Sequence, residues 1–528
     1  MTDWTHGYIA EIDYTYGYYR ELAPALMNYA LLLRGFEPPS LDGGFRYCEL
    51  GFGQGVSANL LAATHPQGQF EGTDFNPRHA SSADALSQAA GLKNTNWHDD
   101  SFEEFLDRDT EPFDYISLHG IWSWVSPDNR HMLVEILRRK LRPGGVAYLS
   151  YNCTPGWNPM IPMRDLLNRH VQNQSPEGMP IGQKIDAALD FAEELRKLDA
   201  RYFKANPAAV ERLEKIREGN RNYLAHEYFN RDWHPMPFAD VASALSAAKL
   251  EFAASAHLAD HIDVLNFPDA VSGRLAAIKD VGFRETVRDF WLNNQFRRDL
   301  YTRGARTLSS TDRIERLLDI PIAMHVARSV VKLEANGGLG QITLRPDVHD
   351  PVLDVLAKGP STMRDLLLLP EIAKIGGVRL IQAVTILIGQ GYLFPVSMPA
   401  LAQGNVAAAV RLREESAARF NKAVIGASRY NTQWAHLASP LTGGGLACNR
   451  FQLMFLEALG RGETSTDAWA ASAQKQLQAQ GVSLIKEGKK LQTAEENLSE
   501  LQSQAREFAE RELPVFRAHG IVAATAPS

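Results

Sequence analysis

Between residues 46 and 151, short apolar runs alternate with amphipathic stretches. Tyr47-Cys48-Glu49-Leu50 is apolar but for one acid and runs into Gly51-Phe52-Gly53-Gln54-Gly55. It predicts a buried strand that ends in a glycine turn. Val56, Leu60 and Leu61 fall at helical spacing and the pattern stops at Pro66, which predicts a helix over 56–64. Gln69-Phe70-Glu71-Gly72-Thr73-Asp74 predicts a second strand ending in an acid. A helix over 77–90 follows, with Asn76 placed as N-cap and Pro77 as its first residue. A short third strand precedes Asp99-Asp100-Ser101, Phe113 to His119 predicts a fourth, and a helix over 128–140 leads to a fifth at Val146 to Tyr151. Strands and helices in strict alternation predict a doubly wound α/β unit, a parallel sheet with helices on both faces.

Past this unit the rhythm changes. Residues 163–250 read as a helical insertion, and Leu250 to His257 can return to the sheet as a late strand. A boundary near 270 then gives a sheet-bearing domain over 41–270, preceded by a cap segment over 1–40. The cap is rich in tyrosine (Tyr8, Tyr14, Tyr16, Tyr18, Tyr19) and carries a helix from Pro24 to Arg34. Residues 271–400 form a middle region whose 351–396 stretch resembles a winged helix. Its helices are expected over 351–358, from an N-cap at Ser361 to Pro370, and over 378–389, with a strand from Gly391. The third helix offers only Arg379, Gln382 and Thr385 as polar groups, too few to hold phosphate and read bases, so no nucleic-acid partner is expected. The 401–528 region reads as helical. In it Gly443-Gly444-Gly445 suggests a flexible loop. Leu484, Leu491 and Leu498 keep heptad spacing too briefly for a coiled coil, so a terminal helix packed on its own domain is expected.

Composition narrows the function. The 528 residues suffice for two or three domains. A net charge of −7 excludes general attraction to nucleic acid or anionic membrane. The absence of an 18-residue apolar run argues against membrane insertion. The start, Met1 to His6, lacks the basic-then-apolar pattern of a signal peptide. Cys48, Cys153 and Cys448 have neither metal nor disulfide spacing, so no metal is expected and a cytoplasmic location fits.

The glycine turn carries the chemistry. Glu49 before it can accept a hydrogen bond from a bound amino group, which a dinucleotide lacks. Gly51-x-Gly53-x-Gly55 departs from the G-x-G-x-x-G that places a helix N-terminus under a pyrophosphate. Asp74 lies where a βαβ unit puts an acid on ribose hydroxyls. Asp100-Ser101 lies where an acid can receive an adenine amino group, although Asp100 as a solvated loop acid is the plainer alternative. These features select S-adenosylmethionine (SAM), with Glu49, Gly51, Gly53, Gly55, Asp74, Asp100 and Ser101 as its candidate ligands.

The same residues, with Leu141-Arg142-Pro143-Gly144-Gly145, resemble the class I SAM-dependent methyltransferases over about residues 40–155. The resemblance implies that the first motif contacts the methionine end, Asp74 the ribose and the third-strand loop the adenine. A narrower one rests on His119-Gly120-Ile121-Trp122-Ser123-Trp124-Val125, on Ser150-Tyr151-Asn152-Cys153-Thr154-Pro155-Gly156-Trp157 and on Tyr223-Leu224-Ala225-His226-Glu227-Tyr228-Phe229. These resemble bacterial methyltransferases that carry a methyltransferase regulatory domain, a family that includes the rickettsial protein lysine methyltransferases acting on outer-membrane proteins. It implies a protein or peptide substrate, an outer-membrane protein precursor among the options, and a C-terminal domain; it leaves room for a homodimer. The segment Asp13-Tyr14-Thr15-Tyr16-Gly17-Tyr18-Tyr19 departs from the family's Tyr/Pro-rich stretch in a region that can face the acceptor.

The chemistry implied is direct SN2 transfer, in which the protein positions and desolvates. Strand ends four and five face the ligand crevice of an open sheet. They nominate Asn152, Tyr151 and His119 as catalytic and Trp122 and Trp124 as acceptor-binding, with Tyr16 and Tyr18 as lid. Core packing of the tryptophans, a structural hydrogen bond for His119 and a packed cap for the tyrosines are the plainer alternatives. Methylation of a small molecule or peptide natural product, and a SAM-binding scaffold that transfers nothing, are the competing functions.

Overall fold

The computed structural model describes residues 16–176, 178–397, 406–429 and 435–522; Tyr8 and Tyr14 lie outside them, and the side chain of Tyr223 is not described. The five expected strands are β1 (Arg46–Leu50), β2 (Gln69–Thr73), β3 (Thr95–His98), β4 (Phe113–Leu118) and β5 (Leu141–Asn152). They alternate with α1 (Val56–Thr64), α2 (Pro77–Ala89), α3 (Phe102–Asp107) and α4 (Pro127–Lys140). Asn76 caps α2 by accepting from the Arg78 amide, with Pro77 at the first position.

The late strand also forms, as β6 (Glu251–Ser255). A seventh, β7 (Phe296–Thr302), was not expected; it slots between β5 and β6 in a seven-stranded sheet of order β3-β2-β1-β4-β5-β7-β6. It runs antiparallel to both neighbours, with Tyr151 opposite Arg297. The sheet therefore crosses residue 270, where a boundary was expected. Arg297-Arg298-Asp299 hides this strand from a hydrophobic pattern. Arg297 is buried in the sheet because Glu285 (3.0 Å), Asp289 (2.7 Å) and Asp299 (2.8 Å) surround it, the first two from helix Val281–Leu292. Chain order reverses where β1 lies between β2 and β4, the switch point at which open α/β sheets bind ligands.

The insertion is helical as expected. Met163, Leu167, Leu189 and Leu213 build a core of its own, whereas Phe238, Val241 and Leu245 join the core under the sheet. In the middle region, Pro321–Met324 is the centre of a small three-stranded sheet, flanked by Ser361–Thr362 and Leu393–Pro395. Ser361 is thus a strand residue; Thr362 caps the short helix Met363–Leu366 instead. The winged-helix third helix, Gly377–Gly389, buries Leu380, Val384, Thr385 and Leu387, and Thr385 shares a 2.9 Å hydrogen bond with the Tyr29 phenol of helix Pro24–Leu33. That face is committed to packing.

Gly443-Gly444-Gly445 does not behave as a free loop. A Cβ on Gly445 would come within 2.9 Å of Leu60 Cδ1, and one on Gly444 within 2.9 Å of Phe394 Cζ and the Tyr18 hydroxyl. The triplet permits backbone to press on side chains from three other segments. The terminal helix, Ala494–Glu510, buries Leu501, Ala505 and Phe508. Leu484 and Leu491 precede it, beside a hairpin of Ile485–Lys486 and Lys489–Lys490, so the heptad spacing is not helical. Among the described residues no helix is long and apolar enough to cross a membrane.

Candidate functional site

A cavity opens over the carboxyl ends of β1, β2 and β4, lined on one side by the glycine turn and on the other by the helix Arg221–Tyr228. The turn begins with the Gly51 amide donating to the Thr73 carbonyl, 2.7 Å away on the neighbouring strand. Gly51, Gly53 and Gly55 all have positive φ (72°, 57° and 69°), a region open to glycine and closed to most side chains. Gly51 and Gly53 line the cavity; Gly55 lies behind it, where a Cβ would be 2.4 Å from Ala83 Cβ of α2. Its smallness serves helix packing.

Glu49 is 4 % exposed and its Oε2 has no hydrogen-bond partner among the described residues. Burial, and then the Asp74 carboxylate, push its pKa up to about 8. A buried carboxyl left unpaired at a cavity wall costs free energy that a ligand ammonium would relieve. That fits the amino-acid end of SAM. Asp74 accepts from the Gly53 amide (2.8 Å) through Oδ2 and from the Asn76 amide (3.1 Å) through Oδ1, which also meets His79 Nδ1 at 3.0 Å. It fastens the glycine turn to the start of α2 and keeps acceptor capacity for a ribose hydroxyl.

Ser101 lines the cavity as the N-cap of α3, where it exchanges hydrogen bonds with Glu104, and Phe102 beside it adds an aromatic face. Asp100 is elsewhere. Arg108 grips both its oxygens, 3.0 Å from Oδ1, and holds its carboxyl below the usual range. With Arg108 as its partner it does not line the cavity.

His119 follows β4 and lines the cavity. Its Nδ1 shares a 3.0 Å hydrogen bond with the Tyr148 phenol, and its ring stacks on Tyr19 at 3.8 Å between centroids. Burial pushes its pKa down to about 4, so the imidazole is neutral at physiological pH. Trp124 lines the cavity too, but Trp122 does not: it is 1 % exposed, inside the core under the sheet.

Tyr151 is also buried, its phenol donating to Asp299 at 2.8 Å within the Arg297 network. Asn152 lies off the cavity, its backbone N–H donating to Ser123 Oγ at 2.9 Å. Strand β5 is thus turned toward its β7 partner, and the crevice lies over β1 to β4. Of the amino-terminal tyrosines, Tyr19 walls the cavity and Tyr16 and Tyr18 do not. Tyr18 is buried beneath Gly444 and Gly445, its ring 5.1 Å from His436.

Sequence reasoning missed the opposite wall: His226, Glu227, Asn230 and Asp232. The signal was the 223–229 segment, but it reads only as a resemblance, and nothing in its local pattern marks His226 or Glu227 as lining a cavity. This wall is held in place from the insertion: Asn168 Nδ2 donates to the Tyr228 carbonyl and Arg164 Nη2 to the Asn230 carbonyl, each at 2.6 Å. Among the described residues lining the cavity are the carboxylates of Glu49, Asp74, Glu227 and Asp232, but no lysine or arginine.

Residues 48–145 match the family described as "Methyltransferase domain", and residues 220–303 the one described as "Predicted methyltransferase regulatory domain". An uncharacterized protein of Synechocystis sp. is 41 % identical over 522 residues, spanning 98 % of this chain and 99 % of its own. An uncharacterized protein of Rickettsia prowazekii is 26 % identical over 297 residues, 56 % of this chain and 52 % of its own. The solved structure of PKMT2 from Rickettsia typhi in complex with AdoHcy superposes with a TM-score of 0.70 at 19 % identity, over 97 % of this chain and 100 % of that one. Both matched families fall on walls of the same cavity, and this chain belongs to the SAM-dependent methyltransferases that carry a methyltransferase regulatory domain.

Proposed function

We propose that this methyltransferase acts on lysine side chains of protein substrates. The observation that carries the reading is the make-up of the cavity: four acidic side chains, no lysine or arginine among its described lining, and aromatic walls from Tyr19 and Trp124. Such a site attracts a cationic acceptor and repels a carboxylate or phosphate. The likeness of the 119–125, 150–157 and 223–229 motifs to the rickettsial protein lysine methyltransferases supports it. So does the length of the chain, most of which lies outside the methyl-transfer domain and is available to hold a large substrate. An outer-membrane protein precursor, still unfolded in the cytoplasm, is the acceptor this reading favours.

In this reading Glu49 takes the methionine ammonium, and the Gly51 and Gly53 backbone lies against that end of the cofactor. Asp74 takes a ribose hydroxyl, and Ser101 and Phe102 border the adenine. The sulfonium supplies the reactivity. The acceptor amine must be neutral to attack, yet at a reference pKa of about 10.4 only about four in ten thousand lysines are neutral at pH 7. Tyr19, Trp124 and neutral His119 would desolvate the ammonium and favour loss of its proton.

The test is transfer from labelled SAM to an unfolded outer-membrane protein, with peptide mass spectrometry to locate the methyl group. Methylated lysine with matching release of S-adenosylhomocysteine is the expected result. Label found only in small molecules, or on a side chain other than lysine, would overturn the reading; SAM bound without turnover would make the chain a scaffold.

A further inference from the structure

We propose that Glu227 is the catalytic base on the acceptor side, holding the incoming ammonium and taking its proton; this rests on the lysine reading above. Four carboxylates line the cavity, and three are already spoken for. Glu49 stands beside the glycine turn, at the cofactor's amino-acid end. Asp74 accepts from the Gly53 and Asn76 amides. Asp232 pairs with His234 at 3.3 Å and Arg231 at 3.2 Å. The Glu227 side chain has no hydrogen bond or ion pair among the described residues, although it is on a helix pinned at both ends. Arg221 donates to Asp186 at 2.7 Å at one end, and Asn168 holds the Tyr228 carbonyl at the other. A carboxylate kept unpaired on an anchored helix, across a cavity from the glycine turn, is placed to receive a cation.

The charged groups around it point the same way. Arg164 and Arg212 are the cations that act on it, and both are engaged elsewhere. Arg164 donates to the Asn230 carbonyl and lies over the Trp233 ring at 4.7 Å. Arg212 donates to the Tyr228 phenol at 2.6 Å and lies over the Trp157 ring at 4.9 Å. His226 and Asp232 share the wall with it. Burial outweighs the two arginines and pushes the Glu227 carboxyl up to about 7. A base with its pKa near the working pH is ionised often enough to bind an ammonium and basic enough to accept a proton from it.

The step balances within the site. The Glu227 carboxylate takes one proton from the acceptor ammonium, giving a neutral amine and a carboxylic acid. The amine lone pair forms the new C–N bond as the C–S bond breaks, and that electron pair stays on sulfur as the neutral thioether of S-adenosylhomocysteine. Glu227 then returns its proton to solvent through the cavity mouth.

The test compares wild type, Glu227→Gln and Glu227→Asp with a lysine-containing acceptor peptide and saturating SAM, from pH 6 to 9.5. In wild type, kcat/KM should rise through pH 7 as Glu227 ionises and then level off, because above that pH the ionised base and the ammonium coexist. Glu227→Gln should lose about a hundredfold at pH 7 and climb about tenfold per pH unit up to 9.5, following the free amine alone. Glu227→Asp should keep the levelling at a lower rate. SAM affinity by calorimetry should change less than about twofold in both. A uniform drop of Glu227→Gln with the wild-type profile retained, or no drop, would overturn the role of Glu227 and leave lysine methylation standing. Wild type that methylates no lysine would overturn the function reading and this inference with it.

Discussion

The two walls of the cavity are built by different rules. The glycine-turn wall is local: Glu49, Gly51, Gly53, Asp74 and Ser101 all lie at or within three residues of the end of a parallel strand, and backbone amides fasten one turn to the next. The other wall is assembled from afar: Tyr19 from the amino-terminal segment, Trp124 from the turn after β4, and Glu227 from the insertion. A wall made of strand ends inherits its geometry from the sheet. A wall made of visiting segments is free to change with the substrate while the cofactor stays the same. Substitutions on the two walls should therefore separate into losses of SAM affinity and losses of transfer.

The largest effect is expected from Gly51→Val. Its φ of 72° excludes a β-branched residue, and a Cβ there would be 2.3 Å from Ile121 Cδ1 at the cavity edge. A folded, monodisperse variant should show no SAM binding by calorimetry; unchanged affinity would take the glycine turn out of the site. Asp74→Ala comes next and should weaken SAM by about 1–3 kcal/mol, the scale of hydrogen bonds to a charged group, with Asp74→Asn retaining part. Affinity equal to wild type would place the ribose elsewhere. Trp124→Ala probes the other wall. It should lower kcat/KM about tenfold, about 1.4 kcal/mol of transition-state stabilisation, with the SAM dissociation constant nearly unchanged. A parallel loss of SAM affinity would erase the distinction between the walls.

A pH dependence tests the glycine-turn side without a substitution. Glu49 holds its proton in the free protein up to about pH 8, whereas binding an ammonium calls for the carboxylate. SAM affinity should therefore strengthen by more than tenfold from pH 6 to pH 8, and Glu49→Gln should bind weakly with no such rise. The sign extends to the free protein. A carboxyl whose folded pKa lies above its unfolded value favours the folded state at low pH and loses that contribution as pH rises toward 8. Titration calorimetry across that range decides it; equal affinity at pH 6 and 8 would remove Glu49 from the ammonium.

Legibility in the sequence follows the same division. Strands β1 to β5 could be read because apolar runs ended at turn signals, and that reading brought Glu49, Gly51, Gly53, Asp74, Ser101, His119 and Trp124 to one cavity. Strand β7 could not, because Arg297 and Asp299 are buried only by virtue of each other and of Glu285 and Asp289. Mutual neutralisation leaves no hydrophobic trace. The same hidden strand explains the misplacement of Tyr151, whose phenol is taken by Asp299. Asp100 was misplaced for want of knowing that Arg108, one helix later, would claim it. Glu227 was in a segment noted for its resemblance, but nothing local marks a carboxylate that tertiary packing will leave unpaired.

The glycine triplet has a practical consequence. Gly444 and Gly445 press on Tyr18, and the next residue, Tyr19, is stacked on His119 at the cavity wall. The carboxy-terminal region therefore backs the segment that carries Tyr19. Shortening the enzyme to its sheet would remove that support, and a single methyl group added at Gly445 would be felt as a shift in substrate handling. Directed evolution for a new acceptor would then find useful changes far down the chain, in residues that never meet the substrate.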